Sequence, residues 1–213
     1  MSAQTATGQD PNAGAVGLSG DAPFLTYAYR PRMAGAATRL TLDTGAAEGG
    51  LEWTVGPRTG RLPVKDITGL TLRYEPGQLG SANYALLIAT RAGPSLRIGS
   101  VSRTGLTGVT DHRAGFVSFV TALHGALAAA GASVRYDAGL PLWRWRIMVV
   151  VALLVAALLA WMAVSAVIAG LPIEAAIMVV LASVLAYPLA ETLWRNVPGP
   201  YVPSAPPARL FPG

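Results

Sequence analysis

The longest apolar stretch of the chain lies near its C-terminus. Residues 147–190 contain a single charged side chain, Glu174. A helix that crosses a bilayer needs about 20 mainly apolar residues, so this stretch is long enough for two. The segment Gly170-Leu171-Pro172 interrupts it with residues that end one helix and start the next. The pattern therefore predicts a hairpin of two transmembrane helices, at about residues 147–169 and 173–193.

Tryptophan and arginine residues flank this hairpin at its two outer ends, whereas the turn between the helices carries no basic residue. The flanking residues are Trp143, Arg144, Trp145, Arg146, Trp194 and Arg195. Basic residues concentrate on the cytoplasmic side of membrane helices, and tryptophans concentrate at the membrane interface. We therefore expect these six residues to anchor the hairpin at the interface, with both termini in the cytoplasm. The N-terminus agrees, because no signal-peptide pattern precedes Arg30, the first basic residue.

Alternating polar and apolar residues dominate the preceding part of the chain, from about residue 23 to residue 139. This alternation predicts half-buried antiparallel strands. The predicted strands are residues 38–42, 51–55, 69–74, 84–90 and 96–101, and the predicted turns are residues 56–60, 76–80 and 91–94. Residues 23–32 fit the pattern less well and are either a first strand or an arm.

One amphipathic helix follows the strands. Asp111 is its predicted N-cap, it ends near Ala130, and Gly131 is its C-terminal stop. Its apolar stripe, which we expect to pack against the sheet, consists of Phe116, Phe119, Val120, Leu123 and Leu127. A short strand at residues 134–136 then leads towards the membrane. The predicted fold class is α+β: a small antiparallel β-barrel or sheet closed by one helix, followed by a C-terminal two-helix transmembrane hairpin.

This order of six or seven short strands and one helix, over residues 36–131, resembles the pleckstrin-homology-like (PH-like) domain of small bacterial membrane-anchored proteins. Residues 62–70, followed by Leu72-Arg73-Tyr74, resemble a strand-turn-strand segment of that family. The resemblance implies a cytoplasmic PH-like domain tethered to membrane helices. An α+β sandwich is the alternative fold.

The two ends of the chain have compositions of their own. Residues 1–22 are small, polar and glycine-rich, which predicts a disordered tail. Residues 196–213 form a proline-rich tail that favours polyproline II. Its apolar residues Tyr201, Leu210 and Phe211 are expected to contact a surface of this protein or of a partner, and a frayed tail is the alternative. The predicted domains are thus residues 1–22, 23–139, 140–195 and 196–213.

Composition limits the classes of function. The chain is 52% hydrophobic and 13% charged, with a mean hydropathy of +0.45, which argues against a wholly soluble protein. The absence of cysteine excludes disulfides, thiolate metal sites and a cysteine nucleophile. His112 is expected to be exposed at the start of the helix, and His124 borders the apolar stripe. Neither histidine completes a metal site or a triad, so we predict no metal, no cofactor and no catalytic residue.

The basic residues indicate less about function than the hydrophobic pattern does. The formal net charge is +5 and no dense basic run exists, so nucleic acid is not a predicted partner. All 16 basic residues except Lys65 are arginine, which is typical of a GC-rich bacterial genome. Candidates for contact with anionic lipid or a partner are Arg91, Arg97, Arg103 and Arg113. Scattered, solvated arginines are the alternative interpretation.

The predicted transmembrane helices carry alanines at a spacing of four. These are Ala152, Ala156 and Ala160 in the first helix, and Ala182, Ala186 and Ala190 in the second. Residues four apart share a helix face, and small side chains let membrane helices approach closely. We therefore expect these alanines to form the seam between the two helices.

Taken together, these patterns predict a non-enzymatic protein. It would be a multi-pass protein of the bacterial inner membrane that acts as an accessory, scaffold or assembly component, with a cytoplasmic PH-like interaction domain. Its expected partners are the lipid bilayer and another membrane protein. The alternatives are an accessory subunit of a larger membrane complex and a membrane-associated enzyme acting on lipid or peptide.

Overall fold

The described part of the protein contains strands and helices, in agreement with the predicted α+β class. The computed structural model describes residues 24–31, 35–44, 49–76, 82–91, 93, 95–103 and 108–211. These residues form eleven strands and three α-helices. They group into two compact units, one within Met1–Asp66 and Gly99–Ala132, the other within Ile67–Ile98 and Ser133–Gly213. The predicted disordered tail, residues 1–22, lies outside the described residues.

A four-stranded antiparallel meander forms the sheet of the first unit. Its strands, in both chain and spatial order, are β1 (Phe24–Tyr29), β2 (Thr38–Asp43), β3 (Gly50–Val55) and β4 (Arg58–Pro63). Residues 23–32, which the sequence left open, thus contribute a strand. The turn predicted over residues 56–60 is shorter, because Gly56 (φ +59°) and Pro57 suffice to reverse the chain. A single 3₁₀ turn, Val64–Asp66, follows β4.

The first unit also contains the predicted amphipathic helix. It follows a short hairpin of β8 (Val101–Arg103) and β9 (Val109–Asp111), and α1 spans Arg113–Ala129. All five residues of the predicted apolar stripe are fully buried, and the ring of Phe119 lies 5.6 Å from that of Tyr27 on β1. The N-cap prediction was one residue off: His112 holds that position, and the carboxylate of Asp111 accepts the backbone N–H of Arg113 at 2.9 Å.

Helix α1 ends where it was predicted to end. Gly131 has a φ of +59°, and its N–H donates to the carbonyl of Ala128 at 3.1 Å. The next N–H, of Ala132, donates to the carbonyl of Leu127 at 3.1 Å. This pair of hydrogen bonds satisfies carbonyls that the last helical turn would otherwise leave unpaired.

A five-stranded sheet forms part of the second unit. It consists of β5 (Ile67–Pro76), β6 (Ala82–Thr90), β7 (Leu96–Gly99), β10 (Arg135–Ala138) and β11 (Gly199–Pro200), in the order β11-β10-β5-β6-β7. The prediction of purely antiparallel strands was wrong for β10, which pairs parallel to β5. A parallel pair needs a long connection between its strands, and the chain from β5 to β10 supplies one.

The predicted barrel does not form among the described residues. Their strands fall into three separate sheets of four, five and two strands. A barrel requires a ladder that continues around a closed ring. Here the first sheet ends at β1 and β4, and the five-stranded sheet ends at β11 and β7.

The second unit continues into the predicted helical hairpin. Helix α2 spans Leu142–Ile168 and α3 spans Pro172–Arg195. The turn lies where it was predicted, with Gly170 at a φ of +75° and Pro172 in the first position of α3. Helix α2 begins five residues before the predicted start, because an absence of charge marks the apolar span and not the first helical residue.

Both hairpin helices are long and apolar enough to cross a membrane. Their most apolar windows have mean hydropathies of 2.9 and 2.0, and these windows are 0% and 6% buried within the protein. The large apolar side chains of both helices are therefore mostly exposed, as in Leu154 (66%) and Val184 (65%). Such surfaces are stable against lipid or against another apolar surface.

Candidate functional site: the base of the helical hairpin

The end of α3 meets the five-stranded sheet within the second unit. We call this region the junction and define it by Tyr74, Tyr84, Gly139, Arg195, Asn196 and Arg209. Tyr74 and Tyr84 face each other across the β5–β6 ladder, and their rings lie 5.9 Å apart, edge to face. The other four residues come from the segment that enters α2, from the end of α3 and from the C-terminal tail.

Asn196 links the end of α3 directly to β5. Its side-chain Oδ1 accepts the backbone N–H of Tyr74 at 3.1 Å, and its Nδ2 donates to the carbonyl of Tyr74 at 2.8 Å. The same Nδ2 donates to the carbonyl of Thr192 at 3.0 Å. Asn196 is only 1% exposed, so all of these hydrogen bonds are shielded from water. They hold the last turn of the hairpin to the middle of a sheet.

Gly139 allows this close approach. The last paired residue of β10, Ala138, lies beside Leu72, and the N–H of Gly139 then donates to the carbonyl of Leu72 at 2.8 Å. Gly139 has a φ of +78°, and a Cβ at this position would lie 2.4 Å from the carbonyl oxygen of Asn196. Because both the backbone conformation and the space exclude a side chain, glycine is required here.

Arg195 is the charged centre of the junction. Its Nε donates to Glu191 at 2.9 Å, and its Nη1 donates to the hydroxyl of Tyr84 at 3.3 Å. Its guanidinium carbon lies 4.9 Å from the centre of the Tyr74 ring, within the range of a cation–π contact. The guanidinium is therefore held by α3 and by both central strands of the sheet.

The C-terminal tail closes the junction through a reciprocal pair of arginines. Nη1 of Arg195 donates to the carbonyl of Arg209 at 3.1 Å, and Nε of Arg209 donates to the carbonyl of Arg195 at 3.2 Å. Nη2 of Arg209 also donates to the carbonyl of Val197 at 3.0 Å. The two bonds from Arg209 thus satisfy one carbonyl at the end of α3 and one just beyond it, neither of which has a helical partner.

The rest of the tail lies along the same sheet. Strand β11 pairs with β10, and the N–H of Tyr201 donates to the carbonyl of Tyr136 at 3.1 Å, with the two rings 5.6 Å apart. Of the three predicted tail contacts, Leu210 is fully buried, whereas Tyr201 and Phe211 are half-buried. Burial raises the pKa of the Tyr201 hydroxyl above its ordinary value. The tail covers the β10 edge of its own sheet.

The predicted interface anchors divide into two groups. Trp143 and Trp194 are about 60% exposed, and the guanidinium of Arg144 stacks over the Trp143 ring at 5.0 Å. Arg146 is also exposed. In contrast, Nε1 of Trp145 donates to the carbonyl of Leu193 at 3.0 Å and ties α2 to α3 at the base of the hairpin. Arg195 belongs to the junction.

Five of the six alanines of the predicted seam lie along an open cleft. A cavity of about 330 Å³ between α2 and α3 is lined by Ala152, Ala156, Ala160, Ala182 and Ala186, among other apolar residues. Ala190, the sixth, is exposed. The least exposed hairpin residues include two sets with a spacing of seven: Ala152, Leu159 and Ala166 on α2, and Ala175, Ala182 and Leu189 on α3. In two helices that wind around each other in a left-handed supercoil, residues with a spacing of seven stay on the face towards the partner helix.

The four candidate lipid- or partner-facing arginines are divided between the two units. Arg91 and Arg97 belong to the second unit, where Arg97 forms an ion pair with Glu75. Arg103 and Arg113 belong to the first, where Nε of Arg113 lies 2.5 Å from the carboxylate of Asp111. Arg91, Arg97 and Arg113 are exposed and Arg103 is half-buried. Whether they contact lipid or a partner stays a prediction.

The prediction that His112 is exposed was wrong, because its side chain is only 9% exposed. Its Nε2 has no hydrogen-bond partner among the described residues, and burial lowers its pKa. His124 is 5% exposed, and burial lowers its pKa to about 4. Helical spacing alone did not reveal this burial, since both residues lie just outside the apolar stripe.

The junction consists of structural contacts that hold the end of α3, the sheet and the tail together. Burial raises the pKa of the Tyr74 hydroxyl, so this group stays protonated at neutral pH. Among the described residues, no three His, Asp or Glu side chains are placed to hold a metal ion. The sequence interpretation missed Asn196, Gly139 and Arg209. A sequence signal existed for Asn196 alone, because an Asn immediately after the last helical residue is a common helix stop.

Comparison of the chain with family models, with curated proteins and with solved structures found no match. The interpretation of function therefore depends on the structure itself.

Proposed function

We propose that this protein is a membrane-anchored scaffold or assembly factor. In this proposal, the α2–α3 hairpin spans the inner membrane of a bacterium, and the chain before it forms a cytoplasmic interaction domain. Both chain termini lie in the cytoplasm. The protein holds a partner at the membrane surface and catalyses no reaction.

The junction is the observation that carries this proposal. A flexible anchor would need only an apolar helix and a linker. Here the bonds of Asn196, Arg195 and Arg209 join the helix end, the sheet and the tail, over sequence separations of up to 122 residues. Such bonds fix the five-stranded sheet in one orientation relative to the hairpin. A fixed orientation is useful to a protein that presents a surface at a set distance from the bilayer.

The PH-like resemblance is part of the same proposal. Its support is the four-stranded meander and, later in the chain, the helix α1, whose apolar stripe packs on the first strand. The separate sheets depart from a PH-like barrel, so the family assignment rests on strand order and the helix alone. A sandwich-like interaction domain would serve the same function.

Topology is tested first, with single cysteines in this cysteine-free chain. Leu171→Cys lies in the hairpin turn and Ser204→Cys lies in the exposed part of the tail. A membrane-impermeant maleimide should label position 171 in intact spheroplasts, and position 204 only after permeabilisation. Labelling of position 204 in intact spheroplasts, or release of the protein by alkaline carbonate, would contradict the membrane proposal.

The scaffold role is tested by purification in mild detergent. The full-length chain should co-purify with one or a few proteins at a defined ratio, and Asn196→Ala, which loosens the junction, should reduce that recovery. Asn83→Ala is the control, because among the described residues the side chain of Asn83 bonds to the half-buried Glu75 of the same sheet and not to α3 or the tail. An equal and complete set of subunits with both variants would favour the alternative of an integral subunit of a larger membrane complex.

A further inference from the structure

We propose that Arg73 and Arg144 form a binding site for the phosphate group of an anionic lipid headgroup. The site lies in the second unit, where a backbone hydrogen bond joins β5 to the segment that leads into α2. The inference rests on the proposed membrane placement of the hairpin for the source of the ligand, but the site itself is independent of the scaffold role.

The β5 ladder places Arg73 next to the start of α2. Its neighbour Leu72 accepts the N–H of Gly139 at 2.8 Å, and Gly139 is only three residues before the first residue of α2. Because Leu72 and Tyr74 are buried, the alternation of a strand puts Arg73 on the opposite face. There its Nε is buried and has no hydrogen-bond partner among the described residues. An unpaired buried donor of this kind is costly unless a ligand pairs with it.

The nearest acid on that face is already engaged. Glu75 is two residues further along β5, and its Oε2 accepts Nδ2 of Asn83 at 3.1 Å and forms an ion pair with Arg97. Burial lowers the pKa of Arg73, and the positive charge of Arg144 lowers it further; Glu75 acts in the opposite direction, and Arg97 has a smaller lowering effect. The charge of Arg73 is therefore desolvated and repelled by Arg144, and Glu75 offsets this only in part, so an anion would stabilise it further.

Arg144 supplies the second cation from a position suited to a membrane interface. It lies in the first turn of α2, and its guanidinium stacks over Trp143, whose side chain is 60% exposed. Neither Arg144 nor Arg73 forms an ion pair within the part of the chain that the structure describes. Exposed tryptophans beside a membrane helix lie at the depth of the headgroups.

A phosphate is the anion that best fits this pair. Guanidinium groups donate two parallel hydrogen bonds to phosphate oxygens, and two arginines can hold one phosphate from different elements. At the cytoplasmic surface, anionic lipids supply phosphates at high local concentration. The same chemistry would accept a soluble phosphate, so the experiment must separate these two sources.

The test uses the full-length chain in neutral detergent micelles, with the melting temperature as readout. Phosphatidylglycerol, added as mixed micelles, should raise the melting temperature in a saturable way, because a ligand that binds only the folded state stabilises it. Inorganic phosphate at the same concentration should leave the melting temperature unchanged. A shift that inorganic phosphate reproduces would overturn the lipid assignment.

Variants locate the site. R73Q and R144Q should each weaken the apparent affinity for phosphatidylglycerol at least about tenfold, and the double variant should lose little more, because both arginines hold one phosphate. R135Q is the matched control: it removes an exposed arginine of the same unit, which pairs with Asp137, and should behave as the wild type. Equal phosphatidylglycerol affinity in R73Q, R144Q and the wild type would overturn the proposal.

Folding of the variants is read in the same experiment. Without lipid, R73Q should melt at or above the temperature of the wild type, because it removes a repelled and partly buried charge. If R73Q fails to fold, the affinity of R144Q for phosphatidylglycerol tests the proposal, because Arg144 is exposed. Carbonate extraction should be unchanged in both variants, so a failure of this site is distinguishable from a failure of the membrane proposal.

Discussion

The side-chain amide of Asn196 binds the backbone of Tyr74 as a neighbouring strand would. It accepts the N–H of Tyr74 and donates to the carbonyl of the same residue, at 3.1 and 2.8 Å. Strand β10 pairs with β5 as far as Leu72 and then turns away at Gly139. The amide of Asn196 takes the place of the next β10 residue, so the helical hairpin continues the ladder of the sheet.

Replacement of Asn196 by alanine should destabilise the second unit. The change leaves a buried N–H and a buried carbonyl of Tyr74 without partners, and each unpaired group costs about 1–3 kcal/mol. We therefore expect a loss of about 2–5 kcal/mol in the free energy of unfolding, measured by denaturant titration of the full-length chain in detergent. Hydrogen exchange should show faster exchange of the Tyr74 amide.

Asn196→Asp tests whether the amide group, and not only its oxygen, is needed. Aspartate keeps the oxygen that accepts the Tyr74 N–H, but it places a second carboxylate oxygen against the carbonyls of Tyr74 and Thr192. It should therefore be at least as destabilising as alanine at neutral pH. A fully stable aspartate variant would show that the amide group does not hold the ladder.

Gly139→Ala should be far more damaging than alanine at other glycines with positive φ. A Cβ at Gly139 would lie 2.4 and 2.5 Å from the carbonyl oxygens of Asn196 and Val197, so the junction would have to open. Gly131 and Gly170 have φ values of +59° and +75°, but a Cβ at either residue would have no other atom within 4 Å, so they are matched controls. Alanine at these two sites should cost only the conformational penalty of about 1 kcal/mol.

The melting temperatures of the three variants in detergent compare these effects directly. The expected order is Gly139→Ala lowest, with the other two close to each other and nearer to the wild type. Equal shifts at all three positions would mean that the backbone conformation alone, and not the contact with the end of α3, makes glycine necessary at residue 139.

The first unit should lose stability in acid because of His124. Its pKa is about 4 in the folded protein and about 6.5 when unfolded, so between these values the unfolded state binds the extra proton. Stability from this residue is complete above pH 6.5 and is lost as the pH falls to about 4. The loss amounts to about 3 kcal/mol. Hydrogen exchange of α1 from pH 7 to pH 4, corrected for the intrinsic pH dependence of exchange, measures it.

His124→Gln is the control for this pH effect, because glutamine does not titrate. The variant should be less stable at neutral pH yet show a flatter pH dependence of α1 protection. His112, whose pKa burial also lowers, should add a change in the same direction. An unchanged pH profile in His124→Gln would assign the acid sensitivity to other groups.

Cysteine pairs can show whether α2 and α3 contact each other through the alanines with a spacing of four or through the residues with a spacing of seven. Leu159 and Ala182 are partly buried and belong to the two sets with a spacing of seven, so a Leu159→Cys and Ala182→Cys pair should crosslink readily with a short reagent. Ala156 and Ala186 line the cleft but are exposed, so the same pair of changes there should require a longer reagent. Leu154 and Val184 provide the outward-facing control.

The measurement is the yield of intramolecular crosslink in membranes, compared among the three pairs. A short reagent that links positions 156 and 186 best would support the seam with a spacing of four. A yield at 154 and 184 equal to that of the other pairs would show that the helices do not pack as a fixed pair.

Local patterns in the sequence determined most of the elements of this protein. The period of the apolar residues placed α1 and its buried face, because side chains on one face of a helix recur every three or four positions whatever the rest of the chain does. In the same way, Gly170 and Pro172 determined where the hairpin turns, since their backbone preferences are properties of the residues themselves.

Only the tertiary structure decided how these elements join. The bonds from Asn196 to Tyr74 connect residues 122 positions apart, and the reciprocal arginines depend on the tail returning to the end of α3. The burial of His112 and the parallel pairing of β10 depend equally on what packs beside them. Periodicity reports which face of an element is apolar, but it contains no information on which partner covers that face or pairs with its backbone.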